Sequence, residues 1–600
     1  MYLIVAEKKS VAIKIAEYLG VVRKENSYIQ ANNFIVVWAS GHLVELVEPE
    51  AYDSKYKKWK LIDLPILPKS FRYKLKSDKK SKDSYKVIKS FMQDEKISEI
   101  VCATDAGREG QLIFEWIYQQ AKCSKPVKRL WFSSLEKIEI EHAFKTMKDN
   151  DYYKGYRDAA SARAKADWLI GMNFSRYYKL THGSFSKKHK GMNVGRVLTP
   201  TLAAIVEREQ IIQQFIPQTY YEIEAHLDSF SAKLITDQVI DDQKKAEAIY
   251  SACLGKKMVV VDIKKVRLTA QKAPLLYNLL HLQKDAFSKH HFNPKQTSNY
   301  AQQLYEKGLI SYPRTDSMYL TDAFKDSYDD LLNTLVSPFP NTQVYLDNLH
   351  VLGLNIQDSI IGQVSDHHAI IITSELKDYP ISSLSDGEMK LLKLIITRML
   401  CSVDQAHTTI RHDYVLKIDN YMFSYSFNSV ETLGWKQHLN LFYSNDKPDN
   451  YPVELYIDES LNVEDLLINE KRTKPKSRYN YSTLLSYMEK PKSFDTDAVD
   501  IVQEISLGTE ATRADIIDTL VSKDYIRLNT DKTLYPSYRG SQIMNVMMAE
   551  LRSPELTQKW EYQLNLVNLG TITETEFIKE ITQFINSKMM NLKLRSLKAK

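Results

Sequence analysis

The chain has 600 residues, 44% of them hydrophobic, which is enough for several buried cores and, at roughly 100 to 200 residues each, for three to five domains. Its net charge of +6 is mild, so nucleic acid binding would depend on local basic patches. The cysteines form no C-x-x-C pair and no apolar run reaches transmembrane length, which excludes a zinc ribbon and a membrane span and leads us to expect a cytoplasmic protein.

The N-terminus predicts a buried strand that ends at two charged residues. Glu7 and Lys8 follow the first apolar run, and residues 11–19 then have helical periodicity. About a hundred residues later, the same plan of strand, acidic turn and helix recurs with Asp105 and Glu109. Open α/β sheets bind ligands at the carboxyl ends of their parallel strands. Carboxylate oxygens suit Mg²⁺, so the three acids are candidate ligands, although most acidic residues in turns are only surface groups.

The remaining chain alternates between helical and extended patterns. Residues 151–210 have helical spacing, residues 219–270 alternate as strands do, and helical faces then lead to Tyr312. Strands return near Tyr414, and helices follow again after Ser482. The sequence therefore predicts a multidomain α/β plus α and β protein in which the chain goes out and comes back.

Tyr312 is a candidate nucleophile because of its neighbours Pro313 and Arg314. In an extended segment, residues i and i+2 share a face, and proline biases the preceding residue away from the helical region, so the tyrosine and the arginine can meet one phosphodiester. A phenol with a pKa of about 10 is a weak nucleophile, and Arg314 would favour the phenolate. The alternative reading is a strand end that turns into a capped helix.

These motifs resemble the type IA DNA topoisomerases, specifically the topoisomerase III branch, over nearly the whole chain. The matching blocks are Glu7-Lys8, Gly41 to Leu43, Asp105 to Gly110, Arg129 to Ser134, Ala166 to Asn173, Val194 to Thr201, Leu309 to Ser317, Asp366 to Ile370 and Gly508 to Ala514. One departure is Gly107, which stands where many relatives carry a third carboxylate in the acidic motif. The turn then has two acids, Asp105 and Glu109, and Glu7 completes a set of ligands for one metal ion.

The resemblance implies a fold with an N-terminal Toprim domain and a toroidal type IA topoisomerase core. The implied domains are a Toprim domain at 1–150, a helical DNA-binding gate domain at 151–210 with 491–600, β-rich hinge arms at 211–275 with 405–490, and a helical domain at 276–404 that carries the tyrosine. In this arrangement, the tyrosine domain lifts off the Toprim domain to admit a strand.

The resemblance also implies an ATP-independent enzyme that cleaves one DNA strand through a transient 5′-phosphotyrosyl bond, passes a strand and religates. This would relax negative supercoils and decatenate DNA, and the chain has no G-x-x-x-x-G-K-[ST] loop for a nucleotide. The implied catalytic residues are Tyr312, Arg314, Lys8, Glu7 and His367; the implied ligands of Mg²⁺ are Glu7, Asp105 and Glu109; and the implied DNA contacts are Arg163, Arg176, Arg196 and Arg513. The expected partners are single-stranded DNA and, by family analogy, a helicase, and the expected state is a monomer without membrane contact.

Three alternatives stay open at this stage. A Toprim nuclease or primase-like enzyme would use the acids without the tyrosine, and a tyrosine recombinase would form a 3′-phosphotyrosyl link. A non-catalytic binder of single-stranded DNA would use only basic and aromatic surfaces. Residues 471–479 interleave cations with Tyr479 and suit a hinge or a strand-tracking groove, although such a run is usually a solvated face.

Overall fold

The computed structural model describes the whole chain except residues 133, 134, 136, 190, 354–359, 363, 365, 366, 443–451, 492–505, 599 and 600. Asp366, which begins one of the matching blocks, therefore lies outside the described residues. Within the described ranges, no helix is long and apolar enough to cross a membrane.

The first 149 residues form an α/β unit. Its elements are β1 Tyr2–Ala6, α1 Lys9–Leu19, β2 Val21–Lys24, β3 Ile29–Ala31, β4 Phe34–Trp38, β5 Val44–Leu46, β6 Tyr73–Leu75, α2 Lys79–Gln93, β7 Glu99–Ala103, α3 Arg108–Ala121, β8 Val127–Arg129, α4 Lys137–Lys145 and β9 Lys148–Asp149. The main sheet has the strand order β2-β3-β4-β1-β7-β8-β9, and β4, β1, β7 and β8 are parallel.

The register of the two central strands sets the position of the acidic residues. Ala6 at the end of β1 is paired with Ala103 at the end of β7. Both strands are almost entirely buried, as expected for apolar runs covered by helices on both faces. Glu7 and Asp105 therefore leave neighbouring strands at the same carboxyl edge of the sheet.

Two helices then lead into a second sheet, to which a later part of the chain returns. The elements of the outgoing part are α5 Lys154–His182, α6 Leu198–Gln214, β10 Thr219–His226, β11 Ser231–Leu234, α7 Gln243–Cys253 and β12 Met258–Arg267. The returning strands are β13 Thr408–Ile418, β14 Tyr421–Thr432, β15 Ser460–Leu461 and β16 Asp465–Arg472. All seven strands form one sheet in the order β15-β12-β13-β14-β11-β10-β16, with antiparallel neighbours.

Helices dominate the two other parts of the chain. Between the outgoing and returning strands lie α8 Leu279–His290, α9 Pro294–Glu306, α10 Tyr328–Asn333, α11 Gln343–Val351 and α12 Asp386–Val403. The last part contains α13 Tyr481–Glu489, α14 Glu510–Ser522, β17 Ile526–Leu528, β18 Leu534–Pro536, α15 Tyr538–Val546, α16 Ala549–Arg552, α17 Pro554–Asn568 and α18 Glu574–Lys598.

Apolar packing joins parts that are distant in sequence. One core combines Ile4 and Val11 of the first unit with Leu304 and Tyr312 of the helical part, so the tyrosine segment packs on the first sheet. A second core joins α5 and α6 to the C-terminal helices, and the seven-stranded antiparallel sheet has its own core. The acidic strand ends and the tyrosine segment are thus held together by buried apolar side chains.

Two glycines on α5 provide a test of the packing between α5 and α17. A Cβ built on Gly155 would lie 2.0 Å from the carbonyl oxygen of Asn568, whereas one on Gly171 would meet only Val194 oxygen at 3.7 Å. We expect Gly155→Ala to destabilise the protein by about 1–3 kcal/mol through overpacking. Gly171→Ala should stabilise it by about 0.5–1 kcal/mol, because alanine is the better helix residue. Thermal unfolding of both variants measures this, and equal midpoints would contradict the close approach.

Candidate active site

Asp105 is the centre of the candidate site. Its Oδ2 atom accepts a hydrogen bond from the Tyr312 hydroxyl at 2.8 Å and another from the Lys8 ammonium at 2.9 Å. Lys8 also lies 3.9 Å from Glu7 Oε1 and 5.5 Å from the centre of the Tyr312 ring. The structure therefore brings four of the predicted site residues into one cluster at the carboxyl edge of the first sheet.

The cluster holds Tyr312 as a neutral phenol. Its side chain is 7% exposed and packs against the rings of Tyr305 and His367. Burial, together with the neighbouring Asp105 charge, raises the pKa of Tyr312 well above its ordinary value. Burial opposes ionisation of Asp105 as well, but the Lys8 cation and the bonds from Lys8 and Tyr312 hold the pKa of that carboxyl below its ordinary value.

Arg314 has an open orientation. Its side chain is exposed, and no hydrogen bond or ion pair from it is present among the described residues. Its positive charge lowers the pKa of Glu7 and of Glu109. An exposed guanidinium without a bonded partner among the described residues is free to bind a phosphate.

The carboxylates of Glu7 and Asp105 are chemically suited to bind a hard cation. Burial and the nearby Asp105 charge raise the pKa of Glu7 to about 7, because two carboxylates share a poorly solvated site. A divalent cation relieves that repulsion, and oxygen ligands suit Mg²⁺. In the conformation observed, however, the described residues contain no group of three or more His, Cys, Asp or Glu side chains arranged to hold a metal.

Two local features account for the incomplete ligand set. Glu109 is bonded to the ring of His42, a residue that sequence reasoning noticed only as part of a matching block. Gly107 has a φ of 141°, in a region that side-chain-bearing residues rarely adopt. The turn between Asp105 and Glu109 therefore carries no third carboxylate at position 107.

His367 lies next to Tyr312, and its predicted catalytic role stays a prediction. Its Nε2 atom donates to the carbonyl of Ala106 at 2.7 Å, and its ring lies 4.3 Å from that of Tyr312. Burial lowers its pKa to about 4, so the ring is neutral at pH 7. The adjacent His368 is also buried, but its ring contacts Phe324 instead.

The four arginines predicted to contact DNA are mostly occupied by the protein itself. Arg196 is buried and donates to Asp167 and Glu561, and Arg513 is buried and donates to Glu510. Arg176 is also buried; it donates to the carbonyl of Tyr56 and lies 4.7 Å from the Trp59 ring. Arg163, which is 3.5 Å from Glu561, has a side chain that is 19% exposed. Direct contact between these arginines and DNA stays a prediction.

Arg129 is a positioning residue that sequence reasoning did not single out. It is fully buried, and its guanidinium donates to the carbonyls of Cys102, Thr104 and Asp105 at 3.1, 2.8 and 2.9 Å. The other face of the guanidinium stacks on Trp131. These bonds fix the turn that carries Asp105. In the sequence, the only signal was the position of Arg129 at the start of one of the matching blocks.

The comparisons with known proteins identify the family of the chain. Residues 151–579 match the family model described as DNA topoisomerase, and residues 2–135 match the Toprim domain model. The chain is 35% identical to DNA topoisomerase 3 of Bacillus licheniformis, covering 100% of this chain and 82% of that protein, and 35% identical to DNA topoisomerase 3 of Bacillus subtilis, covering 98% and 81%.

A solved structure gives the same result for the fold. The full-length topoisomerase I of Thermotoga maritima superposes with a TM-score of 0.72 and 22% sequence identity, covering 98% of this chain and 90% of that one. The chain belongs to the type IA DNA topoisomerases, in the topoisomerase III branch. The predicted Toprim domain and multidomain α/β fold are confirmed, and the nuclease, primase and binder alternatives are not favoured.

Replacing Arg129 by lysine tests the support of the Asp105 turn. Lysine cannot reproduce a planar fork with three carbonyl acceptors, so we expect Arg129→Lys to cost about 2–4 kcal/mol of stability. The exposed Arg527, which pairs with Asp524, is the matched control, and Arg527→Lys should change stability by less than about 0.5 kcal/mol. Thermal unfolding measures both, and equal effects would contradict the positioning role.

Proposed function

We propose that Tyr312 is the nucleophile of a type IA strand-cleavage reaction on single-stranded DNA. The observation that carries this proposal is the shared carboxylate Asp105, which bonds both the Tyr312 hydroxyl and the Lys8 ammonium. One cluster therefore contains a phenol (Tyr312), a proton acceptor (Asp105) and a proton donor (Lys8). A nuclease that used only the acids would have no use for this tyrosine.

The cleavage step assigns one task to each residue. Tyr312 Oη attacks the phosphorus, and its proton passes to the Asp105 carboxylate that already accepts its hydrogen bond. The bond between phosphorus and the 3′-oxygen breaks, and that oxygen takes a proton from Lys8. Arg314 neutralises the phosphate, and the neutral His367 orients the Tyr312 ring. The products are a 5′-phosphotyrosyl bond and a free 3′-hydroxyl.

Religation is the reverse transesterification, so it needs no nucleotide. The free 3′-hydroxyl attacks the phosphorus and gives its proton back to Lys8. The bond between phosphorus and Tyr312 Oη breaks, and Asp105 returns its proton to the Tyr312 oxygen. Strand passage between the two steps relaxes negative supercoils and decatenates DNA. Mg²⁺, held by Glu7, Asp105 and Glu109, would supply positive charge that aligns the phosphate and the 3′-hydroxyl.

The domain division is part of the same proposal. A Toprim domain at 1–150, a gate domain at 151–210 with 491–600, arms at 211–275 with 405–490 and a tyrosine domain at 276–404 would form the toroid. The single sheet built from strands of residues 219–267 and 408–472 supports the assignment of the arms. A monomeric state, a cytoplasmic location and a helicase partner are proposed on the family resemblance alone.

Trapping the covalent intermediate tests the nucleophile. We expect wild-type protein, mixed with a 3′-labelled single-stranded oligonucleotide and quenched with denaturant, to carry label on the protein. Tyr312→Phe should carry none, because it lacks the attacking oxygen, and Tyr305→Phe is the matched control that keeps the adduct. Free labelled fragments from both wild type and Tyr312→Phe would instead indicate a Toprim nuclease and overturn the tyrosine mechanism.

Thermal unfolding in a Mg²⁺ titration tests the metal ligands without using activity. Binding to the folded state alone stabilises a protein by about 2.7 kcal/mol at a hundredfold excess over Kd. We expect Mg²⁺ to raise the unfolding midpoint of wild type and of the control Glu25→Gln, which changes a partly exposed carboxylate outside the cluster. Glu7→Gln should show a much smaller shift, and equal shifts in all three proteins would contradict the assigned ligands.

A further inference from the structure

The basic segment 471–479 divides into two parts with different surroundings. In the second part, Arg478 donates to both carboxylate oxygens of Glu209 at 2.7 and 2.8 Å, and Tyr479 is buried under the guanidinium of Arg208. This part fastens the chain to α6. The first part, residues 471–474, is held against β10 and the residue before it instead, and it lines a cleft.

That cleft, called here the arm cleft, lies where the second sheet meets the connections to the helical parts. Its volume is about 1430 Å³. Its lining residues are Gln218, Thr219, Tyr220, Val239, Asp241, Lys471, Arg472, Thr473 and Lys474. Pockets for a single small molecule have volumes of about 300–1,000 Å³, so this space suits a longer ligand.

The charges of the arm cleft favour a polyanion. Three cations line it, against the single carboxylate of Asp241. Lys471 is bonded to Glu222. Arg472 is 3.7 Å from Glu470, and the side chains of Arg472 and Glu470 are both more than half exposed. Exposed ion pairs contribute about 0–1 kcal/mol, so phosphates can replace these carboxylates at little cost. Lys474 is exposed and has no acidic partner in the described part of the chain.

The other lining groups suit a nucleic acid that has unpaired bases. Tyr220 is only partly buried and lies opposite Lys471 in the strand register, and Val239 is 68% exposed. Bases of single strands stack on aromatic side chains while basic residues follow the backbone. A duplex keeps its bases stacked inside and would not use Tyr220 in this way.

The arm cleft lies against both of the chain segments that connect the second sheet to the helical parts. The Thr473 amide donates to the Gln218 carbonyl at 2.9 Å, and the Gln218 amide donates to Thr473 Oγ1 at 2.9 Å. These bonds join the chain that leaves α6 to the chain that returns toward α13. A ligand in the arm cleft therefore contacts the outgoing and the returning connection together.

We propose that the arm cleft binds a segment of single-stranded DNA, at a site separate from the Tyr312 cluster. Lys471, Arg472 and Lys474 contact its phosphates, and Tyr220 stacks on one base. The proposal rests on the proposed function for its ligand, since the strand bound here belongs to the DNA on which the enzyme acts.

Salt-dependent binding tests the arm cleft. We would measure the affinity for a labelled single strand of about 30 nucleotides, longer than one binding site of about 4–16, in the Tyr312→Phe background so that no cleavage occurs. Each lost phosphate contact reduces the magnitude of the negative slope of log K against log salt by about 0.7. The double variant Arg472→Gln with Lys474→Gln should therefore reduce the magnitude of this slope by about 1.4. At roughly 0.15 M salt, a change of this size corresponds to about a tenfold loss of affinity.

The matched control removes the same charge at Lys265 on β12 and at Lys256 in the turn before β12. Lys256 and Lys265 are exposed and pair with Asp419 and Glu454, and their double change to Gln should leave the slope within about 0.3 of the parent value. Equal slopes for the two double variants would overturn the proposal. Adduct trapping with Tyr312 restored separates the two hypotheses. If wild-type protein forms no covalent adduct, the assignment of Tyr312 as the nucleophile is wrong. If the two double variants have equal slopes, only the proposal for the arm cleft is wrong.

Discussion

The hydrogen bonds to Asp105 are the interaction on which the rest of the site depends. One buried oxygen accepts from Tyr312 and from Lys8, which come from the helical part and from the end of β1. Tyr312 is 207 positions away in sequence, so this contact closes the interface between the first unit and the tyrosine segment. An isolated buried carboxylate would be costly, and these two donors make its charged form stable.

In the proposed mechanism, the same contact keeps Tyr312 protonated until DNA arrives. A phenol whose pKa is raised by burial is a poor nucleophile, and Asp105 both accepts its hydrogen bond and opposes its ionisation. A phosphate that enters beside Arg314 and Lys8 changes this balance, because its negative charge competes with Asp105 for the cations. Proton transfer from Tyr312 to Asp105 then becomes coupled to the presence of substrate.

The sequence predicts those parts of the fold that depend on local pattern. The buried runs of β1 and β7 and the acids after them follow from apolar periodicity, and their meeting follows from the geometry of parallel strands. The bond between Tyr312 and Asp105 does not follow from any local pattern, because it depends on how the helical part packs on the sheet. His42 was equally invisible as a partner of Glu109, since no spacing rule links residues 67 positions apart.

The buried arginines show why charge alone misleads about DNA contacts. Arg196 and Arg163 share one oxygen of Glu561, at 3.0 and 3.5 Å, and the former also binds Asp167. Burial opposes ionisation of Glu561, yet the two cations hold its pKa below the ordinary value. Breaking a buried pair costs about 3–5 kcal/mol when one charge is left unpaired. Arg163 can turn to a phosphate while Arg196 still neutralises Glu561, so the less buried arginine is the one suited to bind DNA and the buried one is suited to hold the helices beneath it.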